Sequence, residues 1–426
     1  MYRIRGAAEP AADRGRARWQ GRWRGRPCCG RRWTMDLAEL VGLRPTPCAG
    51  LLLTLTRRCP LSCAHCSTAS DMRGTDPAGG GLLRLVRSFT AADRPELVLL
   101  TGGEPLLRPE LVAELADAAR VSGARTAVLS GMFFARGGRV PDRIAAAIGR
   151  VDHFSASLDA FHEREVPRAD VFAALRTVLD GGVPVSLHLT GSGPDDPYLA
   201  EVTGQVHRVF GGAVPMLVNE VRAVGRAAGW AARQSAPGPD GRPVPCAMAA
   251  WPVIAADGAV LACCNQQVVD RRPVPAHLLL GHTDRDDWAT VRRRALTGPV
   301  LRMVRAVGAP HLYARFGAAA DCTDTCAGCR ALPDHPAVYA AAARTGAGPV
   351  GELLDLEAAR SQAAAGPAAL VRRFGSPSWA DLVTPGTTPP NRPHSPAPLP
   401  CTSAPLPRTS APLPRTSTPL PLGEAR

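Results

Sequence analysis

The residues of this chain best suited to chemistry are Cys59, Cys63 and Cys66, spaced Cys-x3-Cys-x2-Cys in TRRCPLSCAHCS. Three thiolates on one short loop reach a single metal centre and leave one coordination position open, whereas a structural zinc site takes four protein ligands. An open position suits a reacting ligand. On their own, these cysteines also allow half of a zinc site or a redox-sensing thiol group. Downstream, Thr101-Gly102-Gly103-Glu104-Pro105 follows the apolar run Glu96 to Leu100. Glycines there let the backbone come close to a ligand, because they have no side chain and accept unusual dihedrals. A further set of thiols lies beyond residue 245: Cys246, Cys263, Cys264, and Cys322, Cys326 and Cys329 in CTDTCAGCR.

A strand, a three-cysteine loop, a helix, a second strand and then GGEP together resemble the radical S-adenosylmethionine (radical SAM) superfamily. The resemblance implies that Cys59, Cys63 and Cys66 hold a [4Fe–4S] cluster. Its fourth iron would bind the amino and carboxylate groups of S-adenosylmethionine. Gly102, Gly103, Glu104 and Pro105 would offer acceptors to the methionine ammonium. The implied reaction is reductive cleavage of the cofactor to methionine and a 5′-deoxyadenosyl radical, which abstracts a hydrogen atom from substrate. A flavodoxin or ferredoxin-type reductant is implied with it. Ser157 and Asp159 in SASLDAFHE match positions that contact the ribose in relatives, with capping of the next helix as the alternative role. Asn219 to Ala227 resembles the stretch whose backbone meets adenine. His162, Glu163 and Arg168 follow strand four; His162 is the tentative catalytic candidate, as a proton relay or else as a surface-loop histidine.

These motifs need a scaffold, and the chain supplies an alternation of short apolar strands and amphipathic helices. Strands are expected at Leu51–Thr56, Glu96–Leu100, Thr126–Ser130, His153–Leu158, Pro184–Thr190 and Val214–Val218. Helices are expected over Arg108–Ser122, Asp142–Gly149 and Val171–Leu179. Such alternation argues for an α/β fold with a parallel sheet and outer helices. The resemblance makes it a partial (β/α)6 barrel with the site at the C-terminal strand ends, spanning residues 49–230.

After a Pro/Gly-rich linker from Gln234, Pro252 to Ala262 reads as a hairpin turning at Asp257-Gly258, with Cys246 and Cys263 at its two ends. This segment, 242–335, resembles the SPASM and twitch auxiliary-cluster domains of radical SAM enzymes, although the closing cysteines of SPASM are missing. One auxiliary [4Fe–4S] cluster is expected on Cys246, Cys263, Cys326 and Cys329, with Cys264 and Cys322 as alternates and zinc as the other metal reading. Residues 284–306 read as helical, and 336–381 as closing helices.

Charge and composition exclude several classes. The formal charge is +13, yet residues 1–34 alone hold ten Arg against Glu9 and Asp13. All 50 basic residues are Arg, which points to GC-rich coding DNA rather than phosphate recognition. Neither nucleic acid nor membrane is an expected partner, since no run of about 18 apolar residues occurs. Thirteen cysteines suit metal binding in a reducing compartment, the cytoplasm. Residues 1–34 read as a disordered Arg-rich extension, with Met35 as an alternative translation start. Residues 382–426, with a repeating APLP(C/R)TS unit, read as a disordered Pro-rich tail. The function expected is a peptide maturase, for which a separate peptide-recognition protein is a candidate partner. The alternatives are a dehydrogenase or epimerase of a small natural-product intermediate and, in another class, a non-catalytic iron–sulfur electron carrier or redox sensor.

Overall fold

The computed structural model describes residues 34–231, 242–317 and 324–390. The Arg-rich extension, the Pro-rich repeats and Cys322 lie outside the described residues.

Six strands pair parallel in chain order: β1 (Gly50–Thr54), β2 (Leu97–Thr101), β3 (Arg125–Ser130), β4 (His153–Leu158), β5 (Val185–Gly191) and β6 (Met216–Glu220). The helices between them are α2 (Gly79–Arg87), α3 (Pro109–Ser122), α4 (Asp142–Ile148), α5 (Arg168–Asp180) and α6 (Pro197–Phe210), and α1 (Leu37–Gly42) precedes them all. Each strand alternates its side chains between two faces. Leu51, Leu53, Val98, Leu100, Val128 and Phe154 form one core with Leu82, Leu85, Val112 and Leu115 of the helices. The opposite face carries Leu52, Leu99, Leu129, Ser157, His188, Leu217 and Asn219, all half-buried. This second face is the lumen of the partial barrel, and its β4–β6 side is polar.

The N-terminal strand ends are closed. Met35 and Leu40 pack with Leu97, Ala127 and Trp251, and the Met35 carbonyl lies 2.8 Å from Nδ1 of His153. Gly50 is in contact with Trp251, so that a Cβ there would stand 2.2 Å from the indole. Residues 35–48 are therefore part of the barrel, as its floor. The capping box of α1, in which Asp36 and Glu39 exchange backbone hydrogen bonds, gives this short helix a defined start.

The expected hairpin forms as β7 (Val253–Ile254) and β8 (Ala259–Leu261), followed by β9 (Leu279–His282). β7 pairs parallel with β1, so the cysteine-rich segment continues the barrel's own sheet. The remaining helices are α7 (Gln266–Asp270), α8 (Trp288–Thr297), α9 (Pro299–Ala306), α10 (Gly308–Phe316), α11 (Thr325–Ala331), α12 (Pro336–Gly346), α13 (Gly348–Ala364) and α14 (Gly366–Phe374). The segment 284–306, read as helical, forms two helices that break at Gly298-Pro299, because proline has no N–H for the preceding turn. Residues 382–386, expected to begin the Pro-rich tail, are also packed. Leu382 and Val383 are buried, Ser376 N–H donates to the Val218 carbonyl at 2.9 Å, and Gly386 N–H donates to that of Gly212 at 2.9 Å. That segment covers the outer edge of β6, where unpaired backbone groups would otherwise be exposed. Among the described residues, no helix is long and apolar enough to cross a membrane.

Candidate functional site

The exits of β1 and β2 lie directly against each other. Gly103 N–H donates to the Thr56 carbonyl (2.6 Å) and Glu104 N–H to that of Arg58 (2.9 Å). A Cβ on Gly103 would fall 2.2 Å from the Arg58 carbonyl oxygen, and one on Gly102, whose φ is +145°, 2.5 Å from that of Thr56. The two glycines therefore let the GGEP loop pack on the chain that leads into the cysteines. Gly103→Ala should separate the loops, destabilise the protein by about 1–3 kcal/mol and lower the iron bound at the first centre. A melting curve and an iron count check both effects.

The cysteine loop is held from the far side of the barrel. Arg226 Nε donates to the Cys63 carbonyl (2.8 Å), its Nη1 to that of Ser70 (2.7 Å) and its backbone N–H to that of Cys66 (3.0 Å). Gly225, at φ +56°, sits where a Cβ would be 2.3 Å from the Cys66 carbonyl oxygen. The stretch after β6, expected to meet adenine, thus bears on the backbone of the cysteine loop. Burial pushes the Cys59 thiol up to about 12. At Cys66 burial is outweighed by hydrogen bonds involving Thr68 and Ser70 and by the Arg226 charge, which together hold the thiol below its ordinary value. Three thiols on a clamped loop at the mouth of the lumen fit an iron–sulfur cluster with one open iron.

Glu104 is fully buried, and its carboxylate is engaged within the protein. Oε1 accepts from the Leu106 N–H (3.0 Å) and the Ser130 hydroxyl (3.0 Å), and Oε2 accepts from the Gly131 N–H (2.8 Å). It braces the exit of β2 against that of β3. Burial raises its pKa to about 7 against these hydrogen bonds.

Asp159 is likewise turned inward. Oδ1 accepts the backbone N–H groups of Phe161 and His162, while Oδ2 lies 2.7 Å from Nδ1 of His162 and 3.2 Å from Nε2 of His65. His162 is buried, not a surface-loop residue. Despite burial, Asp159 and Cys63 raise its pKa to about 10. Ser157 lies in register with His188 on β5. Glu163 and Arg168 form an ion pair at 2.5 Å that Tyr198, Glu201 and Gln205 extend toward α6. They brace the β4 loop. Two residues were not anticipated. His65 lies within the cysteine loop itself. The alternation of PVSLHLT already puts His188 on the face opposite Leu187 and Leu189.

The Asp159–His162 pair gives the metal-free protein a pH signature. His162 titrates near 10 when folded against 6.5 ordinarily. Its stabilisation is full below about 6.5 and is lost as pH rises toward 10. The midpoint of thermal unfolding should therefore fall between about pH 7 and 9, and Asp159→Asn should flatten that limb. An equally steep limb in the variant would remove the pair as its cause.

The second group of thiols converges from three elements. Cys246 precedes a 3-10 turn, Cys263 and Cys264 follow β8, and Cys326 and Cys329 lie in α11. Burial and then the charges of Cys264, Cys246 and Cys329 hold the Cys263 thiol well above its ordinary value. Cys326 is raised by burial and by Cys246. Cys264 Sγ accepts from Nη2 of Arg44 at 3.0 Å. The described cysteines are all free thiols, and such a set fits a thiolate-bound metal centre.

Residues 53–202 match the model of the Radical SAM superfamily. The chain is similar to the PqqA peptide cyclase of Gluconobacter oxydans (strain 621H), with 28% identity over 156 residues, 34% of this chain and 42% of that protein. It is similar to the pre-heme d1 synthase of Dinoroseobacter shibae (strain DSM 16493 / NCIMB 14021 / DFL 12), with 30% identity over 167 residues, 37% of this chain and 40% of that protein. The chain spans about two fifths of the length of these curated relatives. Among solved structures, Streptococcus suis SuiB bound to S-adenosylmethionine aligns at 11% identity with a TM-score of 0.40, over 53% of this chain and 62% of that one. The matched span runs from β1 into α6 and holds both the three-cysteine loop and the GGEP loop, so this stretch of the chain is a match to the radical SAM superfamily, whose enzymes use a [4Fe–4S] cluster and S-adenosylmethionine.

Proposed function

We propose that this chain reductively cleaves S-adenosylmethionine and abstracts a hydrogen atom from a ribosomally made peptide. The observation that carries the reading is the close packing of the Cys59–Cys66 loop and the GGEP loop above a lumen with one polar wall. When bound, cluster and cofactor supply an electron and the 5′-deoxyadenosyl radical that takes the hydrogen atom. The protein's part is positioning. Cys59, Cys63 and Cys66 are the ligands, and Arg226 holds their loop. The GGEP backbone and Ser157 are the cofactor contacts this reading assigns. Glu104 and Asp159, with carboxylates already engaged, act by bracing the loops around them. Cys246, Cys263, Cys326 and Cys329 would hold an auxiliary cluster. A flavodoxin or ferredoxin would deliver the electron, a separate protein could present the peptide, and the free thiols suit the cytoplasm.

A peptide substrate is supported by the similarity to a peptide cyclase. The similarity to pre-heme d1 synthase favours a second reading, oxidation or epimerisation of a small natural-product intermediate. The test is anaerobic reconstitution with iron and sulfide, then dithionite and S-adenosylmethionine, with 5′-deoxyadenosine measured by mass spectrometry. About eight irons and cofactor cleavage are expected. Cleavage that candidate peptides stimulate supports the maturase, and stimulation by small alcohols instead supports the second reading. Eight irons without cleavage, with or without either substrate class, would leave an electron carrier or redox sensor.

A further inference from the structure

The cysteine-rich end of the molecule holds a histidine that a count of thiols passes over. His277 lies in a 3-10 turn, Ala276–Leu278, just ahead of β9. Ala262 N–H donates to the Leu278 carbonyl at 2.8 Å, which places this turn beside Cys263. The imidazole is nine-tenths buried, with 9% of the residue's surface exposed. Its Nε2 stands 3.7 Å from Sγ of Cys329, and its Nδ1 is buried without a hydrogen-bond partner. Tyr339 meets the ring edge-on at 5.9 Å between centroids and limits its rotation. A buried polar nitrogen left unpaired costs roughly 1–3 kcal/mol, and a second role for the ring would account for keeping it here.

The thiols around it are not equivalent. Cys264 is drawn to Arg44, whose guanidinium also donates to the Met248 carbonyl (3.2 Å) and lies 4.7 Å from the Trp251 ring centroid. Cys326, in the first turn of α11, has an exposed residue surface although its thiol lies within electrostatic reach of Cys246. Cys246, Cys263 and Cys329 are half-buried, and Cys263 lies within electrostatic reach of both of the others. We propose that the second metal centre is bound by three thiolates and one imidazole: Cys246, Cys263, Cys329 and His277. His277 thereby takes the place that thiol spacing assigns to Cys326. Imidazole is a common ligand for both iron and zinc, and in an iron–sulfur centre a neutral nitrogen ligand in place of a thiolate raises the reduction potential. The inference rests on the reading of this region as a metal centre, and the two can be separated by experiment.

The protein to use is the full chain with Cys59, Cys63 and Cys66 all changed to Ala, so that any metal taken up belongs to the second centre. It is labelled with 15N-histidine, reconstituted with iron and sulfide, reduced, and measured by pulsed EPR. The expected result is a strong hyperfine coupling from one histidine nitrogen. His277→Ala and His277→Cys should abolish it, the cysteine variant keeping its iron, and Cys326→Ser should leave it intact. If zinc is bound instead, its X-ray absorption should show three sulfurs and one nitrogen. A centre that retains metal without a bound histidine nitrogen, or a coupling that survives His277→Ala, overturns the ligand assignment. A protein that takes up no metal overturns the reading of a second centre and this inference with it.

Discussion

Changing Cys59, Cys63 or Cys66 to Ala should reduce cleavage of S-adenosylmethionine to the level of a protein-free control and remove about four irons per chain. The expectation is severe because each cysteine is one of only three proposed ligands, so loss of one would leave two protein bonds to a cluster that needs three. The folded barrel should survive. Cys59 and Cys66 are half-buried loop residues, and the loop is held by backbone bonds to Arg226 and from the Cys59 N–H to the Asp71 carbonyl (3.1 Å) that the substitutions leave in place. Iron count, 5′-deoxyadenosine yield and far-ultraviolet circular dichroism separate loss of the cluster from loss of the fold. A variant that keeps full cleavage would mean that the cofactor is bound elsewhere. The triple variant should still take up metal at the second centre, which makes the two centres independent in binding.

Asp355→Ala should be the most destabilising single change outside the barrel, by about 3–5 kcal/mol. Arg305 of α9 and Asp355 of α13 form a buried two-point ion pair, with Nε to Oδ1 at 2.8 Å and Nη2 to Oδ2 at 2.5 Å. The remaining guanidinium nitrogen donates to the Ala295 carbonyl at 3.0 Å. Removing the carboxylate leaves a guanidinium that cannot lose its proton, buried without its counter-charge. Replacing both residues with apolar ones of similar volume should restore most of the stability, because the cost lies in the unpaired charge rather than in the lost attraction. Chemical denaturation of the single and double variants tests this. A single variant within about 1 kcal/mol of the parent would show that water reaches the pair. The pair also bears on the metal. Cys246 N–H donates to the Arg305 carbonyl at 3.1 Å, so metal uptake at the second centre should fall in parallel with stability in Asp355→Ala and return in the double variant.

Much of the first site was legible from local signals. The apolar runs 51–56, 96–100, 126–130 and 153–158 became strands within two residues of their expected ends, because each is buried on both faces or nearly so and carries its own length signal. The cysteine spacing and the GGEP loop needed only sequence order, since consecutive parallel strands deliver their C-terminal loops to one end of the sheet. Less legible were the partners of charged groups. Nothing local to Glu104 tells that its carboxylate is held by Ser130 and Gly131 from the next strand, nor that Asp159 is flanked by His65, ninety-odd residues away in the chain.

The sequence by itself determined the class of chemistry, the order of the strands and the thiols proposed as ligands of the first centre, because all of these lie in short contiguous segments whose spacing is their geometry. The tertiary structure alone decided what surrounds them. It made residues 35–48 a floor, joined the cysteine-rich hairpin to β1, and carried Leu382 and Val383 into the core at β6. It also brought His277 to Cys329, 52 positions away. Such contacts arise when elements distant in the chain pack to bury apolar surface, and the energy of that packing has no local signature in sequence.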